Sequence, residues 1–204
     1  MRRAVLEGLS TNALEHLRED PVMAKLIDGF EPFEWRASGK LYEDLLGTVV
    51  SQQLSTRAAD TIWTRVKETL GGDLSAERIL EVDEEVLRSA GLSSSKAGYF
   101  KGIAEAKLVG GLDEKKLSGM DDLEVAEELM KLKGIGRWSV EMILIFTLGR
   151  PDIFSLGDLG LRKVVASLYG VDRDDLERIE AISLKWSPYR STASRYLWKW
   201  LDGD

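Results

Sequence analysis

Apolar side chains recur along the chain with the three-to-four-residue spacing of amphipathic helices. The longest stripe steps by four and comprises Leu46, Val50, Leu54, Ala58, Ile62 and Val66. A second stripe comprises Val140, Ile143, Leu144 and Leu148. No segment sustains the alternation of apolar and polar residues that marks a half-buried strand. The pattern therefore predicts an all-α protein.

Helix start signals and glycine breaks divide the chain into short elements. The polar residues that precede apolar stretches as candidate N-caps are Asp20, Ser75, Ser93 and Asp121, the last with Glu124 in capping-box spacing. The glycine breaks are Gly71 with Gly72, Gly91, Gly110 with Gly111, and Gly170. No repeat, low-complexity segment or long linker interrupts this order. We expect about ten short helices packed as one helical body.

The 204 residues include no cysteine and a single histidine, His16. The absence of cysteine excludes disulfides, cysteine nucleophiles, thiolate zinc sites and cysteine-ligated iron–sulfur clusters. The first residues lack the apolar core of a signal peptide, and no apolar run approaches the ~20 residues that cross a bilayer. These features favour a cytoplasmic protein that does not engage a membrane.

The formal net charge of −7 argues at first against a nucleic-acid partner. The charge is unevenly distributed, however, because residues 131–150 carry +3, residues 185–199 carry +4, and the remainder carries −14. A positive net charge in segments this short is about as often a chance result as a sign of a basic binding surface. Charge alone therefore leaves the partner open.

The stretch LKGIGRWS, residues 132–139, has the pattern of a tight turn between two helices. Its two glycines, Gly134 and Gly136, permit a sharp change of direction. The helix that follows would present bare backbone N–H groups and the positive end of its dipole to a phosphate. The same pattern also suits a plain connection between two core helices, so the turn alone is a weak indication of function.

Asp158 stands 24 residues after Gly134, in the turn-rich segment PDIFSLGDLGLRK that opens another helix. An aspartate directly before a helix is most simply an N-cap. A capped carboxylate is also held in one orientation and can still face a ligand. The two interpretations are compatible, so Asp158 is a candidate for both roles.

These motifs resemble the helix-hairpin-helix (HhH-GPD) DNA glycosylase superfamily, whose members pair such a hairpin with a Gly/Pro-rich loop and a catalytic aspartate. Three further segments are similar to the 3-methyladenine DNA glycosylase II branch: GTVVSQQLSTRAADTIWTR (residues 47–65), AGLSSSKAGYF (residues 90–100) and WSPYRSTASRYLW (residues 186–198). The similarity runs in matching order from about residue 10 to residue 201. Such coverage is far more specific than the hairpin alone.

The resemblance implies an all-α fold of two lobes with the active-site cleft between them. One lobe would combine residues 1–40 with residues 121–204 and would carry the hairpin and the catalytic Asp158, and the other would be a central bundle over residues 41–120. Two tryptophans match base-pocket positions of the family, Trp138 and Trp198. The remaining four, Trp35, Trp63, Trp186 and Trp200, are more simply core residues.

The resemblance also implies contacts with damaged double-stranded DNA. The hairpin residues expected to bind DNA are Gly134, Gly136, Arg137 and Ser139. Gln53 matches the residue that fills the space left by a flipped base, although Gln52 and Gln53 suit hydrogen bonds to buried backbone within the helix equally well.

A cation is the one further group that the resemblance implies. The backbone carbonyls that match its ligands are those of Met130, Leu132 and Gly134. They would hold a monovalent cation, Na⁺ or K⁺, in a structural role. No cofactor is expected to be required for the chemistry.

Trp138 stands two residues after the second hairpin glycine, where relatives that also nick DNA carry a lysine nucleophile. Without that amine no Schiff base forms. The resemblance therefore implies a monofunctional DNA-3-methyladenine glycosylase II that excises alkylated bases, such as 3-methyladenine and 7-methylguanine, in base excision repair. We expect a monomer acting in the nucleoid, or in the nucleus of a eukaryotic cell.

Two other functions remain open from the sequence. One is a glycosylase for a different lesion, such as uracil, 8-oxoguanine or a deaminated purine. The other is a non-catalytic helix-hairpin-helix module that binds DNA. Asp158 argues against this second function, because a binding module needs no carboxylate facing a phosphate-rich ligand.

Overall fold

A computed structural model of the chain describes residues 11–31 and 35–203. Within those ranges every regular element is helical, which confirms the all-α prediction. The α-helices are α1 (described over residues 11–17), α2 (Pro21–Asp28), α3 (Leu41–Ser51), α4 (Thr56–Thr69), α5 (Ala76–Glu81), α6 (Glu84–Ser89), α7 (Ser94–Leu108), α8 (Glu114–Ser118), α9 (Asp122–Leu129), α10 (Arg137–Met142), α11 (Leu159–Tyr169), α12 (Leu176–Leu184) and α13 (Arg190–Asp202). A π-helical segment, Ile143–Thr147, directly continues α10.

The predicted capping residues begin helices in the structure. The side chain of Asp20 caps α2, Ser75 caps α5 and Ser93 caps α7. Asp121 and Glu124 form a complete capping box at α9. The described part of the chain holds thirteen α-helices rather than about ten, because α5, α6 and α8 have only six, six and five residues and are too short to show a periodic stripe.

The long apolar stripe from Leu46 to Val66 is divided in the structure between two helices. A turn at residues 52–55 separates α3 from α4. Leu46 and Val66 are fully buried, whereas Leu54 in the turn is 39% exposed. The hydroxyl of Ser55 caps the first turn of α4, so a new helix starts where apolar spacing alone suggested continuity.

The helices form two compact units, which we call the terminal unit and the central unit. The terminal unit consists of Met1–Arg36 and Arg150–Asp204. Its core packs side chains from α1, α2, α11, α12 and α13 around the fully buried Trp186. The central unit consists of Ala37–Gly149.

Within the central unit α3 contacts α4, α7, α10 and the π-helical segment. The hydroxyl of Thr147 donates a 2.7 Å hydrogen bond to Asp44, which ties the π-helical segment to α3. Residues 121–149 therefore pack with the central helices, whereas the sequence-based division assigned them to the lobe of the chain ends. None of the helices described is long and apolar enough to cross a membrane.

Candidate active site

Asp158 is the N-cap residue of the eleven-residue helix α11. Its Oδ1 accepts a hydrogen bond from the backbone N–H of Leu161 at 2.8 Å. Its own backbone N–H donates to the carbonyl of Ser155 at 3.1 Å. The residue is half-buried. The expected N-cap role is thus present, and it fixes the direction of the carboxylate at the positive end of a helix dipole.

Trp198, on α13, reaches the same carboxylate from the neighbouring helix. Its indole Nε1–H donates to Oδ1 of Asp158 at 3.4 Å. The structure therefore brings together one predicted base-pocket residue and the predicted catalytic residue. An oriented carboxylate beside an aromatic ring is suited to stabilising a cation, because both the negative charge and the ring attract positive charge.

Gly160 makes this close approach possible and was missed in the sequence analysis. A Cβ at this position would lie 2.8 Å from Cδ2 of Leu201 and 3.0 Å from Oδ1 of Asp158. A side chain here would therefore press on both α13 and the carboxylate. The only local signal is a glycine two residues after the aspartate, in a helical first turn where glycine is otherwise unfavourable.

The loop that leads to Asp158 is bound to the start of α13 by an ion pair. Arg190 donates to both carboxylate oxygens of Asp152, from Nε at 2.7 Å and from Nη2 at 3.0 Å. Ser187 adds a 2.8 Å hydrogen bond to the same carboxylate. Burial alone would raise the pKa of Asp152, but the hydrogen bonds and charge of these partners hold it below its usual range. The two segments that carry Asp158 and Trp198 are thus joined at a second place.

Two of the four basic residues in the 185–199 window are used inside the protein. Arg190 pairs with Asp152. Arg195 is only 9% exposed, and its guanidinium carbon lies 3.3 Å from the ring centroid of Trp35. Burial lowers the pKa of Arg195, while the ring face attracts its charge. The net charge of +4 over residues 185–199 therefore does not correspond to a continuous basic surface.

The hairpin runs from the end of α9 to the start of α10. Gly134 has φ +88°, and a Cβ there would lie 2.3–2.5 Å from ring atoms of Tyr99 on α7. Only glycine fits this turn without moving α7. Gly136, the N-cap of α10, is exposed and extended, and a Cβ there would meet nothing within 4 Å. The two glycines therefore differ, since Gly134 is required by packing and Gly136 is not.

The other predicted hairpin contacts differ in exposure. The side chain of Arg137 is 88% exposed, and its Nε donates to Glu141 at 3.0 Å. Ser139 is 2% exposed, and its hydroxyl accepts a hydrogen bond from Gln52. Almost none of the surface of Ser139, backbone included, is therefore exposed for a contact with DNA. Trp138 is half-buried on α10 in the central unit, whereas Asp158 and Trp198 belong to the terminal unit.

The two glutamines after α3 have different environments. One interpretation of the sequence had Gln52 bonding backbone within its own helix, but its side chain donates instead a 2.8 Å hydrogen bond to the carbonyl of Gly134 in the hairpin. Gln53 is exposed and has φ +61°, the one positive value for a non-glycine residue in the part of the chain described. That backbone conformation costs about 1–2 kcal/mol, and such strain is found at ligand sites.

Of the three carbonyls expected to bind a cation, those of Leu132 and Gly134 accept hydrogen bonds within the protein. The carbonyl of Leu132 accepts from the N–H of Ile135 at 3.1 Å. The carbonyl of Gly134 accepts from Gln52. Each carbonyl oxygen has a second lone pair, so these hydrogen bonds are compatible with a cation at this turn.

On the all-helical fold a glycine hairpin precedes a capped, half-buried aspartate, and this is the order that the resemblance implied. A family model described as HhH-GPD superfamily base excision DNA repair protein matches residues 46–188. The chain belongs to this superfamily.

Individual relatives are similar over most of the chain. DNA-3-methyladenine glycosylase 1 of Schizosaccharomyces pombe is 34% identical over 181 residues, which cover 87% of this chain and 79% of that protein. The structure of the S. pombe 3-methyladenine DNA glycosylase in complex with abasic DNA has a TM-score of 0.84 and 33% identity, covering 92% of this chain and 95% of that one. A DNA-3-methyladenine glycosidase from Bacillus halodurans has a TM-score of 0.73 and 34% identity, covering 91% and 87%.

Proposed function

We propose that this protein is a monofunctional DNA glycosylase that excises alkylated bases, of the 3-methyladenine and 7-methylguanine type, from duplex DNA. The observation that carries the proposal is the carboxylate of Asp158, held by the backbone of α11 and by the indole of Trp198. The names of the similar proteins support the same substrate class. We place the chain in the glycosylase II branch.

In the proposed reaction the damaged base leaves the stack before chemistry begins, because its glycosidic bond is unreachable inside the duplex. The bond between the sugar C1′ and the base nitrogen then breaks, and positive charge develops on the sugar ring. Asp158 stabilises this charge and accepts a proton from the water that attacks C1′. An N-alkylated purine carries a positive charge and departs as a neutral base, so no second acid is needed to protonate it.

Trp138 and Trp198 are the proposed aromatic residues of the base pocket. A cationic base is attracted to an indole face by about 0.5–2 kcal/mol. The hydrogen bond from Trp198 to Asp158 uses the ring edge and is compatible with stacking on its face. Because Trp138 stands where a lyase would carry its lysine, we propose that the enzyme forms no Schiff base and leaves the DNA backbone intact.

The proposed DNA contacts use backbone groups more than charged side chains. The hairpin, with Gly134, Gly136, Arg137 and Ser139, would bind phosphate. The exposed and strained Gln53 would enter the stack in place of the flipped base. A monovalent cation at the carbonyls of Met130, Leu132 and Gly134 would stabilise the turn.

A panel of duplexes, each carrying one defined lesion, tests this function. The monomeric protein should convert duplexes with 3-methyladenine or 7-methylguanine into alkali-labile abasic duplexes. It should leave uracil and 8-oxoguanine in place, because those neutral bases are held by a stronger glycosidic bond. Abasic sites formed only from a neutral lesion would indicate a glycosylase of different specificity. Binding without abasic sites from any duplex would indicate a non-catalytic module.

A further inference from the structure

Lys96, on α7, caps the end of α3 from a different helix. Its Nζ donates to the carbonyls of Val50 and Gln52, each at 2.8 Å. The last carbonyls of a helix have no partner within that helix, and a lysine is a favourable one because of its charge. Lys96 is half-buried, and desolvation lowers its pKa. The ammonium of Lys96 thus stabilises the backbone at the end of α3.

The backbone carbonyl of Gln52 accepts a hydrogen bond from Lys96, and the side chain of Gln52 donates hydrogen bonds to the hairpin. Its Nε2 donates to the carbonyl of Gly134 at 2.8 Å and to the hydroxyl of Ser139 at 3.0 Å. Both hydrogens of the amide are therefore used, and both go to the hairpin. One residue joins the end of α3 to a segment more than eighty positions further along the chain.

The residue after Gln52 is the exposed Gln53 in its left-handed conformation. Its position depends directly on how Gln52 is held, because only one peptide bond separates them. α7 also supplies the ring of Tyr99 that packs on Gly134. Lys96 and Tyr99 are three residues apart and lie on one face of α7, so the same face supports the turn at residues 52–55 and the hairpin.

We propose that Lys96 and Gln52 are positioning residues that keep Gln53 at a fixed distance from the hairpin. When the hairpin binds phosphate, Gln53 is then correctly placed to enter the base stack beside the extruded base. This inference rests on the proposed function and extends it to residues that would touch neither the base nor the DNA backbone. Loss of the Lys96 ammonium should impair extrusion of a paired base and leave phosphate binding unchanged, because phosphate contacts do not require Gln53 and the ammonium bonds the end of α3 rather than the hairpin.

Lys101 provides a matched control on the same helix. Its Nζ donates to the carbonyls of Leu80 and Val82 at the end of α5, in the manner in which Lys96 caps α3. Lys96→Met and Lys101→Met each remove a half-buried ammonium from a helix end. We expect similar losses of thermal stability in the two variants. Only Lys96→Met should slow single-turnover release of 3-methyladenine from a fully paired duplex, by about tenfold, since extrusion of a paired base is the costly step.

A lesion placed opposite a gap separates positioning from a general structural effect. Extrusion of an unpaired base costs less, so release by Lys96→Met should return to within about twofold of wild type on this substrate. Affinity for undamaged duplex should remain at the wild-type value. Gln52→Leu removes both amide donors at similar volume and should show the same dependence on pairing, which keeps the test available if Lys96→Met does not fold.

Equal release rates for Lys96→Met and Lys101→Met on the paired duplex would overturn the inference. A defect that persists on the gapped substrate would overturn it as well. Failure of the wild-type protein to release a base from any duplex would instead refute the proposed function, so the two failures are distinguishable.

Discussion

Oδ1 of Asp158 accepts two hydrogen bonds, one from the backbone of its own helix and one from the indole Nε1–H of Trp198 at 3.4 Å. The second donor comes from α13, forty residues further along the chain. Three features hold Asp158 and Trp198 close together. Gly160 has no side chain to separate α11 from α13, Asp152 pairs with Arg190, and α11 and α13 share one hydrophobic core. The carboxylate is therefore positioned by the tertiary fold as well as by its helix.

Trp198→Phe retains an aromatic ring and removes the N–H donor. We expect single-turnover base release to fall about tenfold, because a hydrogen bond to a charged group contributes about 1.5–3 kcal/mol and this one is long. Trp200, which the sequence analysis assigned to the core, is 40% exposed on the same helix. Trp200→Phe is therefore the control and should release base at the wild-type rate. An unchanged rate in Trp198→Phe would show that the indole N–H does not orient Asp158.

Gly160→Ala should reduce base release more than stability. The added methyl would press on Oδ1 of Asp158, and a misplacement of about 1 Å at a reacting group costs up to about 100-fold in rate. Leu201 is 43% exposed and has room to move, so the melting temperature should change little. Gly102→Ala is the control, because a Cβ there meets nothing within 4 Å and alanine favours a helix. Normal release by Gly160→Ala would mean that Asp158 tolerates displacement.

The ion pair of Asp152 with Arg190 should stabilise the fold in a pH-dependent manner. The pKa of Asp152 is lower in the folded protein than its usual value of about 4. Its contribution is therefore fully present above about pH 4 and is lost as the pH falls through the folded-state pKa. The difference in melting temperature between wild type and Asp152→Asn should be constant from pH 5 to about pH 7 and should narrow below about pH 4.

Asp28→Asn is the control for that measurement. It removes an ion pair with Arg18 in which the Asp28 side chain is 65% exposed. Exposed pairs contribute about 0–1 kcal/mol, so this variant should melt close to wild type. A difference between wild type and Asp152→Asn that does not narrow in acid would contradict the assigned pKa shift.

The features that could be predicted from sequence are those with local signals. Helix starts at Asp20 and at Asp121 with Glu124 follow from short-range capping patterns, and the structure has both caps. The N-cap at Asp158 follows from the same rule. Each of these predictions depends on residues within one helical turn of each other, where chain connectivity alone fixes their proximity.

The features that the sequence did not reveal depend on residues far apart in the chain. The hydrogen bond from Gln52 to Gly134 spans 82 positions, and the pair of Arg190 with Asp152 spans 38. The apolar stripe between Leu46 and Val66 concealed the turn at residues 52–55, because its spacing stays helical across the break. No local pattern marks such contacts, since they arise only when the helices pack.

Gly136→Val tests the hairpin without disturbing its packing. A Cβ at Gly136 meets no neighbour and the backbone there is extended, so the variant should fold and melt as wild type does. A side chain at the N-terminus of α10 would obstruct the backbone N–H groups proposed to bind phosphate. Affinity for lesion-containing and undamaged duplex should fall by the same factor, because phosphate contacts carry no base information. A loss confined to lesion-containing duplex would assign Gly136 to the base pocket instead.

Asp158→Asn should abolish most base release and leave binding to lesion-containing duplex largely intact. Asparagine retains the size of the side chain and an oxygen that can cap α11, but it offers no full negative charge to the sugar cation. Loss of one such electrostatic group costs about 3–4 kcal/mol, or a few hundred-fold in rate. Asp175→Asn is the matched control, because Asp175 caps α12 by accepting from the backbone of Arg178. Both variants should lose a similar, small amount of thermal stability, and only Asp158→Asn should lose single-turnover release of 3-methyladenine. Wild-type release by Asp158→Asn would leave Asp158 with the role of an N-cap alone.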